Sequence, residues 1–178
     1  EVEIYNFPSD ENQMETTING LYELFVNRSD CYAEQHRNRK TEKWEYQKMN
    51  EQLTKDVIKQ HVTEEITVGA YQISQDNQVI WCCDDIDSHH GETDARERVE
   101  KVVAVLRQYG LPFLLEASGS PDSYHIWIFL AKTRTYNAYR FIRQINSEAG
   151  LKCEAWPKQK SLRGKYGNLV KLPICLNL

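Results

Sequence analysis

The sequence predicts an α+β fold whose centre is a β-α-β-β-α-β series of elements. From residue 79 onward, short apolar stretches typical of strands alternate in that order with amphipathic helical patterns. The 178 residues are 40% hydrophobic and 27% charged, as in a soluble globular domain. No apolar run approaches the roughly 18 residues of a membrane span. We therefore expect a cytoplasmic protein without a membrane partner.

Residues 1–65 are predicted to form an amino-terminal helical segment of the same domain. Residues 13–26 read as an amphipathic helix because their apolar side chains recur at helical spacing. These side chains are Ile18, Leu21, Leu24 and Phe25. Residues 41–62 are charged and helix-prone, with a break near Thr54, which is placed to cap the segment Lys55–Val62.

Residues 66–178 are predicted to form the core of the fold. The predicted strands are Ile66–Ile73, Val79–Asp87, Phe113–Ala117, Tyr124–Ala131, Leu151–Trp156 and Leu169–Ile174. Two helices, residues 93–109 and 135–149, interrupt them, and each is followed by a glycine, Gly110 or Gly150, that is suited to end a helix. This order is the ferredoxin-like split unit that is also found in RNA-recognition domains.

In a ferredoxin-like sheet the first strand of the unit lies between the third and the fourth. The carboxyl end of Val79–Asp87 therefore meets the starts of Tyr124–Ala131 and Leu151–Trp156. Asp85 and Asp87 are two residues apart and project from one face of the strand. The neighbouring strands bring His125 and Glu154 beside them. We expect three carboxylates and one histidine to share a patch of this sheet.

Paired aspartates with a third carboxylate form an oxygen ligand set that suits Mg²⁺ or Mn²⁺ better than zinc. Divalent ions held in this way support phosphoryl chemistry. The net charge of −4 hides a split, with −12 over residues 1–131 and +8 over residues 132–178. A basic loop, residues 157–167, together with Lys171, is suited to phosphates or a nucleic-acid backbone. Its cations are Lys158, Lys160, Arg163 and Lys165.

Other residues near this patch have structural interpretations. Asp84 points to the opposite face from Asp85, and we expect a helix cap or a local salt-bridge partner there. Cys83 and Trp127 are expected to be packing residues. The five cysteines show no C-x-x-C spacing, which favours reduced thiols and gives no reason to expect structural zinc.

Several motifs resemble those of the archaeo-eukaryotic primase superfamily. Trp81-Cys-Cys-Asp-Asp-Ile-Asp87 resembles its first motif, an apolar strand that ends in two alternate aspartates, and Ser123-Tyr-His125 resembles its second. Glu154 falls where the superfamily has its third acidic residue. The similarity is closest to the primase-polymerase domains of CRISPR-associated and TOTE conflict systems and spans about residues 17–173. It includes Glu116-Ala-Ser-Gly-Ser120, Glu154-Ala-Trp-Pro-Lys-Gln159 and Gly167-Asn-Leu-Val-Lys-Leu-Pro173.

The resemblance implies a template-directed nucleotidyltransferase that makes and extends primers on single-stranded DNA. Asp85, Asp87 and Glu154 would hold two Mg²⁺ or Mn²⁺ ions, with His125 as a further catalytic residue. The residues implied to bind the nucleoside or deoxynucleoside triphosphate or the template are Ser123, His125, Lys158, Arg163, Asn168 and Lys171. The cysteine cluster that relatives often carry is absent between residues 32 and 66. We expect a catalytic core that works with further domains or accessory proteins.

Two other functions are compatible with the same residues. A ferredoxin-like module could bind nucleic acid without catalysis, by stacking bases on exposed aromatic side chains. A metal-dependent nuclease could use the same carboxylates, and it would shorten a labelled strand where a polymerase lengthens it.

Overall fold

The computed structural model describes residues 10–88, 94–118, 122–162 and 166–174. The structure is α+β, as predicted. Its elements are α1 (Glu11–Phe25), β1 (Tyr32–Arg37), β2 (Trp44–Met49), α2 (Lys55–Val62), β3 (Val68–Tyr71), β4 (Gln78–Asp87), α3 (Ala95–Gln108), β5 (Leu114–Ala117), β6 (Ser123–Arg134), α4 (Thr135–Glu148), β7 (Glu154–Trp156) and β8 (Leu169–Lys171). Across these described ranges, no helix is long and apolar enough to cross a membrane.

The chain divides into two compact units. One contains the described residues through Ala70 together with those from Lys171, and the other is Tyr71–Val170. Strand pairing explains this grouping, because β8 lies beside β3 in a sheet of order β2-β1-β3-β8 and so joins the end of the chain to its beginning.

The first unit confirms the two predicted helices. Asp10 caps α1 by accepting a hydrogen bond from the Gln13 amide at 2.8 Å. Thr54 caps α2 as predicted, since its hydroxyl accepts from the Val57 amide at 3.4 Å. The buried His61 joins distant parts of this unit. Its Nδ1 accepts from the Val68 amide and its Nε2 lies 3.1 Å from the Pro173 carbonyl oxygen.

The prediction of helix from residue 41 is wrong, because β1 and β2 form an antiparallel hairpin. Asn38 organises the turn. Its side-chain oxygen accepts from the backbone amides of Lys40 and Thr41, and its backbone amide donates to the Lys43 carbonyl oxygen at 2.8 Å. Strand pairing here overrides the helix propensity of the charged residues in this segment.

The second unit contains the predicted ferredoxin-like sheet, in the order β5-β6-β4-β7. Strand β4 pairs antiparallel with both β6 and β7. Helices α3 and α4 pack against the face that carries Cys82, Ile86, Ile126 and Ile128, all of them buried. The opposite face carries Trp81 and Trp127, whose rings meet edge to face at 5.1 Å and are fully buried. Trp127 is therefore a packing residue, as predicted.

Both helices end at the predicted glycines. Gly110 has φ of 61° and Gly150 has φ of 67°, a left-handed conformation in which side chains are strained. After each glycine the chain closes with a hydrogen bond back to the last turn, from Leu111 to Leu106 and from Leu151 to Asn146. The four cysteines that lie in the described ranges are free. Cys175, Thr93 and residues 119–121 lie outside those ranges.

Asp84 lies on the helix face of the sheet, as predicted. It is a buried hydrogen-bond partner of α4, however, and among the described residues it is not a helix cap or a salt-bridge partner. Its side chain is 0% exposed, and its Oδ1 accepts from Asn146 Nδ2 at 2.7 Å. Desolvation raises the pKa of Asp84 to about 7, although hydrogen bonds from Asn146 and Cys153 oppose the rise. Protonation would add a hydroxyl donor to a cluster in which Asn146 Oδ1 is buried without a partner among the described residues.

The buried Asp84 makes stability depend on pH. Between about pH 4 and pH 7 the folded protein retains a proton on Asp84 that the unfolded chain has released, so the free energy of unfolding decreases as pH rises. The decrease is on the order of 4 kcal/mol. We expect Asp84→Asn to remove most of this decrease and to raise the melting temperature at pH 8. Melting curves from pH 5 to pH 8.5 test this, and parallel curves for the variant and the wild type would contradict it.

Candidate active site

The register of the second sheet assembles the site. Asp85 lies opposite His125 on β6 and opposite Glu154 on β7, while Asp87 lies opposite Ser123. The structure therefore places these five residues on neighbouring positions of three strands, and the sequence predicted this placement for Asp85, Asp87, His125 and Glu154. The side chains of Asp85 and His125 are 21% and 8% exposed, whereas that of Glu154 is 63% exposed. Solvent exposure within the site therefore increases from the buried side chain of His125 to the exposed carboxylate of Glu154.

His125 is held in place by Glu116, a residue to which the sequence analysis gave no role in the site. The Glu116 Oε2 lies 2.9 Å from His125 Nδ1 and accepts from Trp127 Nε1 at 2.8 Å. Because a carboxylate has no proton to give, His125 donates through Nδ1. Its Nε2 then faces Asp85, with 3.7 Å between Nε2 and the Asp85 Oδ1.

The signal that identifies Glu116 is the register of the β5–β6 hairpin. Ala117 lies opposite Tyr124, so Glu116 lies opposite His125. Pairing the end of the predicted strand Phe113–Ala117 with the start of the predicted strand Tyr124–Ala131 gives the same register. Glu116 therefore belongs to the site through its contact with His125.

Arg98 connects the carboxyl end of β4 to the residues that lead into β7. This buried side chain of α3 donates to the Asp87 carbonyl oxygen at 2.8 Å and to the Lys152 carbonyl oxygen at 3.1 Å. Sequence reasoning gave Arg98 no role, because both acceptors are backbone atoms. Arg98 fixes the backbone from which Asp87 and Glu154 project.

The carboxylates act on one another electrostatically. Desolvation is the main cause of a raised pKa at Asp85, and the negative charges of Asp87 and Glu154 raise that pKa further, against the effects of His125 and Lys158. Lys158 pairs with Glu154, with 2.7 Å between Nζ and Oε2, and its Nζ lies 4.1 Å from the centre of the Trp156 ring. A cation bound among these carboxylates would relieve their mutual repulsion.

The carboxylate oxygens of Asp85, Asp87 and Glu154 are the type of ligand that a hard divalent ion prefers. The side chains are not gathered around a common point, however. In the part of the chain that the structure describes, no group of three or more His, Cys, Asp or Glu side chains is arranged to hold a metal ion. Glu154 is engaged by Lys158, so the ligand set would have to be completed as an ion binds.

The other residues that were predicted to bind phosphates, nucleotide or template lie outside the group of five described above. Asn168 is exposed just before β8. Lys171 lies in the first unit, where desolvation is the main cause of a lowered pKa at His61 and the charge of Lys171 lowers that pKa further. Lys160 lies near Tyr139 of α4, with Nζ 5.5 Å from the ring centre. Arg163 and Lys165 lie outside the described residues.

Comparison with known protein families finds a match that covers most of this chain. A family model for the archaeo-eukaryotic primase domain matches this chain, which places it among the primase-like nucleotidyltransferases. The match covers residues 16–177, and the model is that of the TOTE conflict systems. The chain belongs to this family, as the motifs indicated. No curated protein matches it.

The contacts of Glu116 predict a loss of stability on truncation. Glu116→Ala leaves two buried donors, His125 Nδ1 and Trp127 Nε1, without their acceptor, and this should lower the free energy of unfolding by about 1–3 kcal/mol. Glu116→Gln keeps one oxygen and should cost less. Urea unfolding measures both, with the exposed Glu100→Ala of α3 as the control. Equal unfolding free energies for Glu116→Ala and the control would contradict the assignment.

Proposed function

We propose that this chain is the catalytic core of a template-directed nucleotidyltransferase that makes and extends primers on single-stranded DNA. The observation that carries the proposal is the register of β4, which places Asp85 between His125 and Glu154. Membership of the archaeo-eukaryotic primase family supports the same reaction class. In this reaction the 3′-hydroxyl of a primer attacks the α-phosphorus of an incoming triphosphate, and pyrophosphate leaves.

Asp85, Asp87 and Glu154 would hold two Mg²⁺ or Mn²⁺ ions. Bound there, such ions would neutralise charge on the attacking and leaving oxygens of an in-line displacement. The buried position of Asp85 and the repulsion from its neighbours favour an incoming cation. Lys158 balances the charge of Glu154 while no ion is bound, and a bound ion would release its ammonium group to contact the triphosphate.

His125 and Ser123 would contact the phosphates. Glu116 fixes the ring of His125 through Nδ1 and so directs Nε2 to the side of the sheet that carries Asp85. A ring that is already fixed needs no reorganisation when the substrate binds, and in its imidazolium form it donates from Nε2 to a phosphate oxygen as well as from Nδ1 to Glu116. Arg163, Asn168 and Lys171 are proposed to bind triphosphate or template.

The structure weighs against a module that binds nucleic acid on its sheet without catalysis. Such a module needs exposed aromatic rings on the sheet face, whereas Trp81 and Trp127 are fully buried. One observation favours it, which is that Glu154 is paired with Lys158 and no metal ligand group is assembled in the described ranges. Measurement of catalysis therefore decides between the two.

Extension of a labelled primer on a single-stranded template, with Mn²⁺ and each nucleotide pool in turn, tests the proposal. We expect Asp85→Ala/Asp87→Ala to reduce extension at least roughly a hundredfold, because metal ions supply several kcal/mol of transition-state stabilisation. The fold should survive, since the change removes two charges that repel each other.

The matched control is Glu97→Ala/Glu100→Ala, which removes two carboxylates from the exposed face of α3. It should leave extension within about twofold of the wild type, because surface substitutions of this kind have small effects. Full extension by the Asp85/Asp87 variant would refute the proposal. Shortening of the labelled strand by the wild-type protein would favour the nuclease instead.

A further inference from the structure

A strip of paired cations and aromatic rings leads away from the candidate active site along the outer surface of α4. We name it the α4 strip, and its residues are Tyr136, Tyr139, Arg140, Arg143, Lys158 and Lys160. All of them belong to the second unit. Ala138, Ile142 and Ile145 form the opposite, buried face of the helix. The packing of α4 against the sheet therefore does not require the strip residues on its outer side.

Each cation in the strip lies near an aromatic ring. The Arg143 guanidinium carbon lies 3.7 Å from the centre of the Tyr139 ring, and Lys160 Nζ lies 5.5 Å from the same centre. The Arg140 guanidinium carbon is 6.0 Å from the centre of the Tyr136 ring. Tyr136 is 48% exposed, so its ring remains accessible.

The strip is joined to the active site by contacts of the chain itself. Arg143 Nη1 donates to the Pro157 carbonyl oxygen at 3.2 Å, which holds the residues after β7 against α4. The next residue is Lys158, whose ammonium group pairs with Glu154. Positive charge therefore continues from the edge of the carboxylate cluster to the outer surface of the helix.

Helix α3, which packs on the same face of the sheet, provides a comparison for these cations. Two of the cations exposed on α3 pair with acids, Arg96 with Glu100 and Lys101 with Glu97. On the strip, in contrast, Arg140, Arg143 and Lys160 form no ion pair with any residue of the described ranges. Arg140 and Lys160 are exposed, so their charges remain available to an external polyanion, whereas the charge of Arg143 also acts on the buried Asp84 and opposes the rise of its pKa.

We propose that the α4 strip binds single-stranded nucleic acid, with its cations on the phosphates and unpaired bases stacked on Tyr136. Proteins that bind single strands combine these same two features, a cationic path and aromatic platforms. The inference rests on the proposed function in one respect, namely that the bound strand continues to the carboxylates at Asp85.

Fluorescence anisotropy with a labelled single-stranded DNA, in EDTA and without nucleotide, tests the strip apart from catalysis. The test variant is Arg140→Gln/Lys160→Gln, which leaves Arg143 and its packing intact. We expect affinity to fall about tenfold at 0.1 M salt and the slope of log K against log salt to flatten by about 1.4, which corresponds to two phosphate contacts. Tyr136→Ala should weaken binding at least about fivefold through lost stacking.

The matched control, Arg96→Gln/Lys101→Gln, removes the same charge from α3 and should change affinity less than about twofold. Equal losses in the two double variants, or no loss in the strip variant, would overturn the inference. So would equal affinity of the wild type for a blunt duplex, whose paired bases cannot stack on Tyr136. The metal-free readout separates the two proposals. Normal primer extension with an unaffected strip variant refutes the strip alone, and weakened binding without any extension activity refutes only the catalytic function.

Discussion

The antiparallel pairing of β4 with both of its neighbours is the constraint on which the site depends. It places Asp85 opposite His125 on one side and opposite Glu154 on the other. Because side chains alternate along a strand, a slip of one residue would turn Asp85 toward the helices and bring the buried Asp84 into the site. The apolar residues that alternate with the site residues, Ile86 and Ile126, prevent that slip by packing under α3 and α4.

The same alternation separates two acidic environments on adjacent residues. Asp84, on the helix face, has a pKa of about 7 and a hydrogen bond from Asn146. Asp85, on the other face, lies among carboxylates whose repulsion a cation would relieve. The overall charge of −4 conceals this arrangement, because it averages an acidic first part of the chain with a basic last part that carries Lys158 and the α4 strip.

The sequence was sufficient to predict the order of the second sheet and the placement of Asp85, Asp87, His125 and Glu154 on one patch of it, because each depends on a period-2 or helical pattern and on a known topology. It failed for the β1–β2 hairpin, where a long-range pairing outweighs the helix propensity of charged residues. It also failed for Glu116 and Arg98. Arg98 contacts backbone carbonyl oxygens, and such contacts leave no pattern along the chain. Glu116 is identified only when the register of the β5–β6 hairpin is counted, which places it opposite His125.

We propose that β4 and β7 together hold divalent ions. Electron paramagnetic resonance titration of Mn²⁺, in the presence of a non-hydrolysable nucleoside triphosphate, tests it most directly because only free Mn²⁺ gives the sharp signal. We expect two bound ions per chain for the wild type and the loss of at least one in Asp85→Asn. Unchanged stoichiometry and affinity in that variant would contradict a metal site on β4 and β7.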